Sequence, residues 1–306
     1  MFKFEKEQKI FNIAGVKVGG QPGQLPTVMI GSIFYHGHKI VRNAKTGDFD
    51  KEKAEELLKK EEEVSDRTGN PRIVDVCCSW PQAAEKFIDF VAKTIDGPFA
   101  LDGTTSEVRI AAAKYIGETG LSERVVYNSI TPEIKDDELL AIKEAKIKSA
   151  LLLTLNTKDL TIKGKLQALD ELLAIASKAG VENVLVDTTV LDIPDPGTVS
   201  RAIFLVKEKY GLPAGAGTHN AVDRWNERLK ARGRALDRSQ YTLACCVANV
   251  FPITMGANFV LYGPIKNCSD AYFYCALADA YVAYCVKQEF RTNLLTKDHP
   301  LFKVFR

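Results

Sequence analysis

The chain has 306 residues, of which 46% are hydrophobic and 26% charged, ordinary values for a folded globular protein. With 41 basic against 39 acidic side chains the net charge is only +2, which leaves no electrostatic footprint for nucleic acid. The opening MFKFEKEQKIF is too charged for a secretory leader, and no stretch reaches the roughly 18 to 20 apolar residues that span a bilayer. A cytoplasmic protein without direct membrane insertion is expected. Its seven cysteines include the adjacent pairs Cys77-Cys78 and Cys245-Cys246 but no C-x-x-C, so they read as reduced, mostly buried small hydrophobes.

In chain order, KIFNIAGVKVGG reads as a β-hairpin turning at Ala14-Gly15; residues 1–24 are expected to cap the floor of the fold. Eight short apolar runs follow, at 27–32, 72–76, 99–102, 125–128, 150–155, 183–187, 212–215 and 259–261. A polar residue ends or closely follows each run, and most are followed by an amphipathic stretch. The runs are apolar on both faces, as parallel strands covered by helices must be. Helices are expected over 49–67, with Asp50 as N-cap and Gly69 beyond the end, and after Pro81. Further helices are expected over 133–146 after Thr131-Pro132, over 163–179 closed by Gly180, from Asp195-Pro196 to Tyr210, and over 270–290. Eight such units in one domain over 1–306 predict the α/β class, a (βα)8 TIM barrel with an N-terminal β-hairpin. An open doubly wound sheet would show Gly-x-Gly-x-x-Gly after its first strand, and none is present.

The reactive end of such a barrel lies at the carboxyl ends of its strands. Those ends read Ser32 and His36, Asp75, Asp102, Asn128, Asn156, Asp187, Asn220 and Tyr262. Buried acids and amides without partners each cost several kcal/mol, so a ring of them implies a polar ligand. Asp102, ahead of Gly-Thr-Thr-Ser, could instead cap the next helix. Lys and Arg are nearly absent from these ends, which disfavours a phosphate or carboxylate substrate. Alternating acids and amides suit a heterocycle with an amino group beside a ring N–H, a pair that one carboxylate can accept. A pterin is such a molecule.

The motifs RIVDVCCSW, FALDGTTSEVR, VVYNSITPE and VLVDTTVLD, in this order and preceded by GSIFYHGHK, resemble the pterin-binding barrel family. That family includes dihydropteroate synthases and corrinoid methyltransferases. The basic residues with which the synthases meet a pyrophosphate leaving group are missing here. The resemblance implies a methanogenic, archaeal methyltransferase of one-carbon metabolism. Its donor would be methyl-tetrahydromethanopterin, losing the N5-methyl group to the Co(I) of a corrinoid (cobamide) on a partner subunit. It also implies a homodimer attached to membrane subunits at the cytoplasmic face of a complex. Asp75, Asp102, Asn128, Asn156 and Asp187 would hold the pterin. The amide acting on N5 would be Asn220, in GTHN where the family more often has Ser-Asn, or else Asn128.

Two other readings compete. His36-Gly37-His38 after the first strand is reminiscent of metal-dependent hydrolase barrels. Those need further His or a bridging Lys on later strands, which here end in Asn128, Asn156 and Asp187, so no metal is expected. The second rival is a non-catalytic scaffold subunit of a membrane complex; the ring of polar strand ends argues against it. The segment 36–50 is expected at a docking rim, and the tail TKDHPLFKVFR is a candidate anchor on a partner.

Overall fold

A computed structural model describes residues 1–305. The chain opens with the expected hairpin, β1 (Ile10–Ile13) and β2 (Val16–Gly19), antiparallel around Ala14 and Gly15. Both turn residues have positive φ, the geometry that matches strand twist in a two-residue loop. The first barrel strand is β3 (Val28–Ile33), and the loop after it carries a small hairpin, β4 (Val41–Asn43) and β5 (Asp48–Phe49). Then come β6 (Arg72–Cys78), β7 (Phe99–Gly103), β8 (Val125–Ile130), β9 (Ser149–Leu153), β10 (Asn183–Asp187), β11 (Ala214–Ala216) and β12 (Phe259–Pro264). The eight parallel strands β3 and β6 to β12 close a barrel, with β12 pairing back onto β3.

Helices α1 (Lys51–Thr68), α2 (Pro81–Thr94), α3 (Ser106–Thr119), α4 (Asp136–Glu144), α5 (Ile162–Lys178) and α6 (Pro196–Tyr210) cover the outside of the first strands. Helices α7 (His219–Ala231) and α8 (Arg238–Thr254) stand between β11 and β12, and α9 (Cys268–Phe290) and α10 (Pro300–Lys303) end the chain. None of the described helices is long and apolar enough to cross a membrane. Local chemistry sets the boundaries. The Asp50 side chain accepts from Lys53 N at the start of α1, and Gly69 closes it in the left-handed conformation. The cap of α3 is Thr105, not Asp102, whose carboxylate is thereby free of that duty. Helix α4 starts at Asp136 rather than 133, because residues 131–134 form a turn first. Its first turn then gathers Asp136, Asp137 and Glu138, favoured by the helix dipole.

Alternation with period two divides each strand. Outward residues pack against the helices in the large core. Inward, Val28, Ile30, Ile73, Ala100, Val126, Leu151, Leu185 and Phe259 fill the lower barrel together with Ile13 and Val18 of the hairpin. The floor is therefore plugged. Two residues further along, the inward positions become Ser32, Asp75, Asp102, Asn128 and Asp187, in place of another apolar layer. Register aligns Ser32 with Asp75, Asp102 with Asn128, and Asp187 with Gly215.

Candidate active site at the open end of the barrel

Asp75 is the hub of the polar layer. It is 2% exposed and accepts hydrogen bonds from Ser32 Oγ at 2.8 Å and Asn128 Nδ2 at 3.1 Å. The Cys77 thiol lies 3.6 Å from Asp75 Oδ2 and 3.5 Å from Asp102 Oδ2. Burial pushes the Asp75 carboxyl up from its usual range, against the pull of those hydrogen bonds. Burial, then the charge of Asp75, raises Asp102 to about 7. One thiol proton cannot serve two carboxylates, so a proton shared within Asp75, Cys77 and Asp102 best satisfies the geometry near neutral pH. These three are also, among the described residues, the one grouping whose ligand atoms lie close enough to hold a metal, within 4.8 Å of one another. No histidine belongs to it.

Asp187 forms the opposite wall. Its Oδ1 accepts from Thr189 N at 2.7 Å, and burial raises its carboxyl to about 6. Thr189 holds a left-handed φ of 49°, a strained conformation for a β-branched residue. Lys165, from the first turn of α5, secures that turn. Its buried ammonium donates to Thr188 O at 2.9 Å and Thr189 O at 2.5 Å. Sequence reasoning missed Lys165 because it comes from a helix rather than a strand end. It supplies a positive charge beside Asp187, with two of its three protons taken by backbone carbonyls.

The remaining expectations divide. Asn220 sits in the first turn of α7, exposed at the end of β11. A Cβ on inward-facing Gly217 would lie 3.1 Å from Asn220 Nδ2, so the amide fills the space that a strand-end side chain would take. Asn156 is turned to its own loop: Oδ1 accepts from Lys158 N and Asp159 N, and Nδ2 reaches Gly164 O at 3.4 Å. Tyr262 points away from the barrel interior and donates to buried Glu61 at 2.5 Å. His38 is buried, stacked on Tyr35, and its Nδ1 accepts from Phe34 N; burial lowers it to about 4. His36 is exposed beside it. The segment 34–50 folds its aromatic residues inward, Phe34 stacking on Phe87 of α2 at 4.2 Å. In the tail, Phe305 stacks on Tyr281, while Arg306 lies outside the described residues.

Behind the acids, Arg109 of α3 donates through Nε to Glu138 Oε1 at 2.6 Å and through Nη2 to Oε2 at 3.0 Å. Tyr127, fully buried on β8, also donates to Glu138. Burial pushes the Glu138 carboxyl up, but the hydrogen bonds from Arg109 and Tyr127 and the charge of Arg109 outweigh it and the net shift is downward. Arg109→Met should therefore destabilise the fold by about 3 kcal/mol, the cost of stranding a buried charge. Denaturant unfolding at neutral pH measures this. The difference should shrink in acid, as Glu138 loses in the wild type the charge that the pair stabilises; a loss unchanged by acid would contradict the ion-pair origin.

A family model described as tetrahydromethanopterin S-methyltransferase MtrH subunit matches residues 6–294. The H subunit of tetrahydromethanopterin S-methyltransferase from Methanothermobacter thermautotrophicus is 40% identical over 314 residues, spanning 99% of this chain and 100% of its own. The corresponding H subunit from Methanocaldococcus jannaschii is 38% identical over 304 residues, covering 94% and 95%. Among solved structures, a Xanthomonas albilineans dihydropteroate synthase in complex with 7,8-dihydropteroate superposes with a TM-score of 0.57 at 15% identity, over 89% of this chain and 98% of that one. At that identity the likeness shows the barrel fold alone. Full-length similarity to the methanogen proteins carries more: the chain belongs to the tetrahydromethanopterin S-methyltransferase MtrH subunit family and is a methyltransferase.

Proposed function

We propose that this barrel, as one unit over residues 1–306, transfers the N5-methyl group of methyl-tetrahydromethanopterin to the Co(I) of a corrinoid carried by a partner subunit. The observation that carries the reading is the convergence of Asp75, Asp102, Asn128 and Asp187 on one inward layer above an apolar plug. A flat heterocycle presenting ring N–H and amino donors satisfies these groups; a hydrocarbon does not. Asp187 and Asp102 accept the pterin donors, Asp75 and Asn128 buttress them, and Asn156 shapes the β9 loop at the ligand's edge. Asn220 faces the nitrogen that loses the methyl group, with Asn128 the other amide within the site.

Cobalt in the Co(I) state is a strong nucleophile, so the chain need not supply one. The methyl group leaves N5 with its bonding electrons retained by nitrogen. A hydrogen bond to N5 that strengthens as the C–N bond breaks lowers the barrier without tightening the ground state. The corrinoid has to approach from above the open end, where Trp80, Leu160 and Ile193 are exposed on three separate loops and offer an apolar rim. Exposed Leu243, Val247 and Phe251 on α8 lie beside Phe273, Tyr281 and Tyr284 on neighbouring α9, an apolar face suited to a second copy in a homodimer. The same subunit is proposed to sit peripherally at the cytoplasmic face of a membrane complex. The test is methyl transfer to free cob(I)alamin, read by its absorbance, from methyl-tetrahydromethanopterin and from methyl-tetrahydrofolate. Transfer from the first is expected; transfer from neither would end the reading.

A further inference from the structure

The reaction just proposed consumes one proton, because N5 ends with hydrogen where it carried methyl, and the amide of Asn220 cannot be its net source. We propose that His219 delivers this proton through Nε2, acting as a catalytic acid beside Asn220. This role rests on the methyl-transfer reading and adds a residue to it.

Three observations place the imidazole for the task. Its Nδ1 lies 2.8 Å from Leu261 O, an atom that only accepts, so Nδ1 carries hydrogen and Nε2 is the site of proton exchange. The ring lies between two strand-end glycines. A Cβ on Gly263 would fall 2.5 Å from Cδ2 and 2.7 Å from Nε2, so any other residue at 263 would expel the ring. A Cβ on inward-facing Gly217 would meet Asn220 Nδ2 at 3.1 Å and His219 Cε1 at 3.7 Å, so amide and imidazole both border the space over Gly217 at the end of β11. The other histidines have no such position: His36 is exposed on the rim, His38 is bound within its own loop, and His299 is buried beside α10.

The surroundings suit a donor that loads and releases. Burial lowers the imidazole below its ordinary value, opposed by Asp223 one turn along α7. Tyr241 of α8 donates to Asp223 at 2.5 Å, and Lys266, beyond β12, lines the same surface hollow as that pair. Once loaded from solvent, such an imidazolium is a stronger acid than a free one. In the step, the electron pair of Co(I) forms the Co–CH3 bond and the metal becomes Co(III). The N5–CH3 pair stays on nitrogen, Nε2–H passes its proton there, and solvent restores it.

The experiment uses the full chain with His219→Ala and His219→Gln, each compared with wild type for thermal midpoint, pterin affinity and single-turnover transfer to cob(I)alamin. Both variants should lose about 100-fold in transfer rate while pterin affinity changes by no more than about twofold. Added imidazole should restore the alanine variant about tenfold and leave the glutamine variant unchanged, since only the first has room for it. Should alanine fail to fold, glutamine retains a donor to Leu261 O and carries the rate comparison. Undiminished transfer in the folded variants would overturn the role of His219 alone. Equal losses of affinity and rate without rescue would also overturn it, and a wild type inactive with methyl-tetrahydromethanopterin would remove the underlying reaction and this role together.

Discussion

Replacing Asn220 by alanine is expected to slow methyl transfer by about 10²- to 10³-fold, the usual consequence of losing one donor aimed at a developing charge. Pterin affinity should change by no more than about threefold, because the hydrogen bond to N5 matters most when the C–N bond is breaking. The local structure favours this division. Asn220 lies in the first turn of α7, whose dipole makes that end electropositive. That field acts on the electron pair accumulating at nitrogen and hardly at all on the neutral methylated donor. Single-turnover rates and equilibrium titrations of the same variant separate the two quantities. Matched losses in both would reassign Asn220 to simple binding and shift attention to Asn128, whose Nδ2 already donates to Asp75.

Asp187→Asn should have opposite effects on affinity and on stability. Affinity for the pterin should fall by about 100-fold, since an amide cannot accept two donors with both oxygens and a charged acceptor is lost. The unliganded fold should gain about 1 to 2 kcal/mol at neutral pH. The reason is burial, which lifts the native carboxyl to about 6, above the roughly 3.9 of an unfolded chain. Below about pH 4 the group is protonated in both states and costs nothing. Between pH 4 and about 6 the folded wild type binds more protons than the unfolded chain, so its stability falls as pH rises, and above 6 the penalty is complete. Denaturation midpoints from about pH 4 to 8 should show the variant's advantage opening across that window and then levelling. A flat difference would mean that Lys165 and Thr189 N already neutralise the cost of the charge.

Much of the barrel could be read from the chain because parallel strands buried on both faces leave strong apolar runs. The stretch NVLVD was bounded correctly at both ends, and Asp50 and Gly69 marked α1 through their capping chemistry. What escaped did so for physical reasons. Between β11 and β12 the strands are far apart in sequence, and the charged α7 shows only a thin apolar stripe at Val222, Trp225 and Leu229. The inward polar layer was legible where alternation alone decides facing, as at Asp75, Asp102, Asn128 and Asp187. It failed at Tyr262, because alternation from inward Phe259 and Leu261 puts position 262 on the outer face with Val260. Lys165 was invisible for another reason: a lysine beside an apolar helical face ordinarily extends to solvent, and only tertiary structure shows this one turned onto Thr188 and Thr189.

The plugged floor has a bearing on the order of events. With Ile13 and Val18 stopping the lower end, entry is left to the open end, and in the proposed reaction a protein-borne acceptor resting on the rim would cover it. In that reaction the methyl donor would be seated before the carrier arrives, and the demethylated pterin would wait inside until the carrier departs. Traffic through the barrel would then be last in, first out, so the lifetime of the docked complex, and not the grip on the spent pterin alone, would set how soon a new donor can enter.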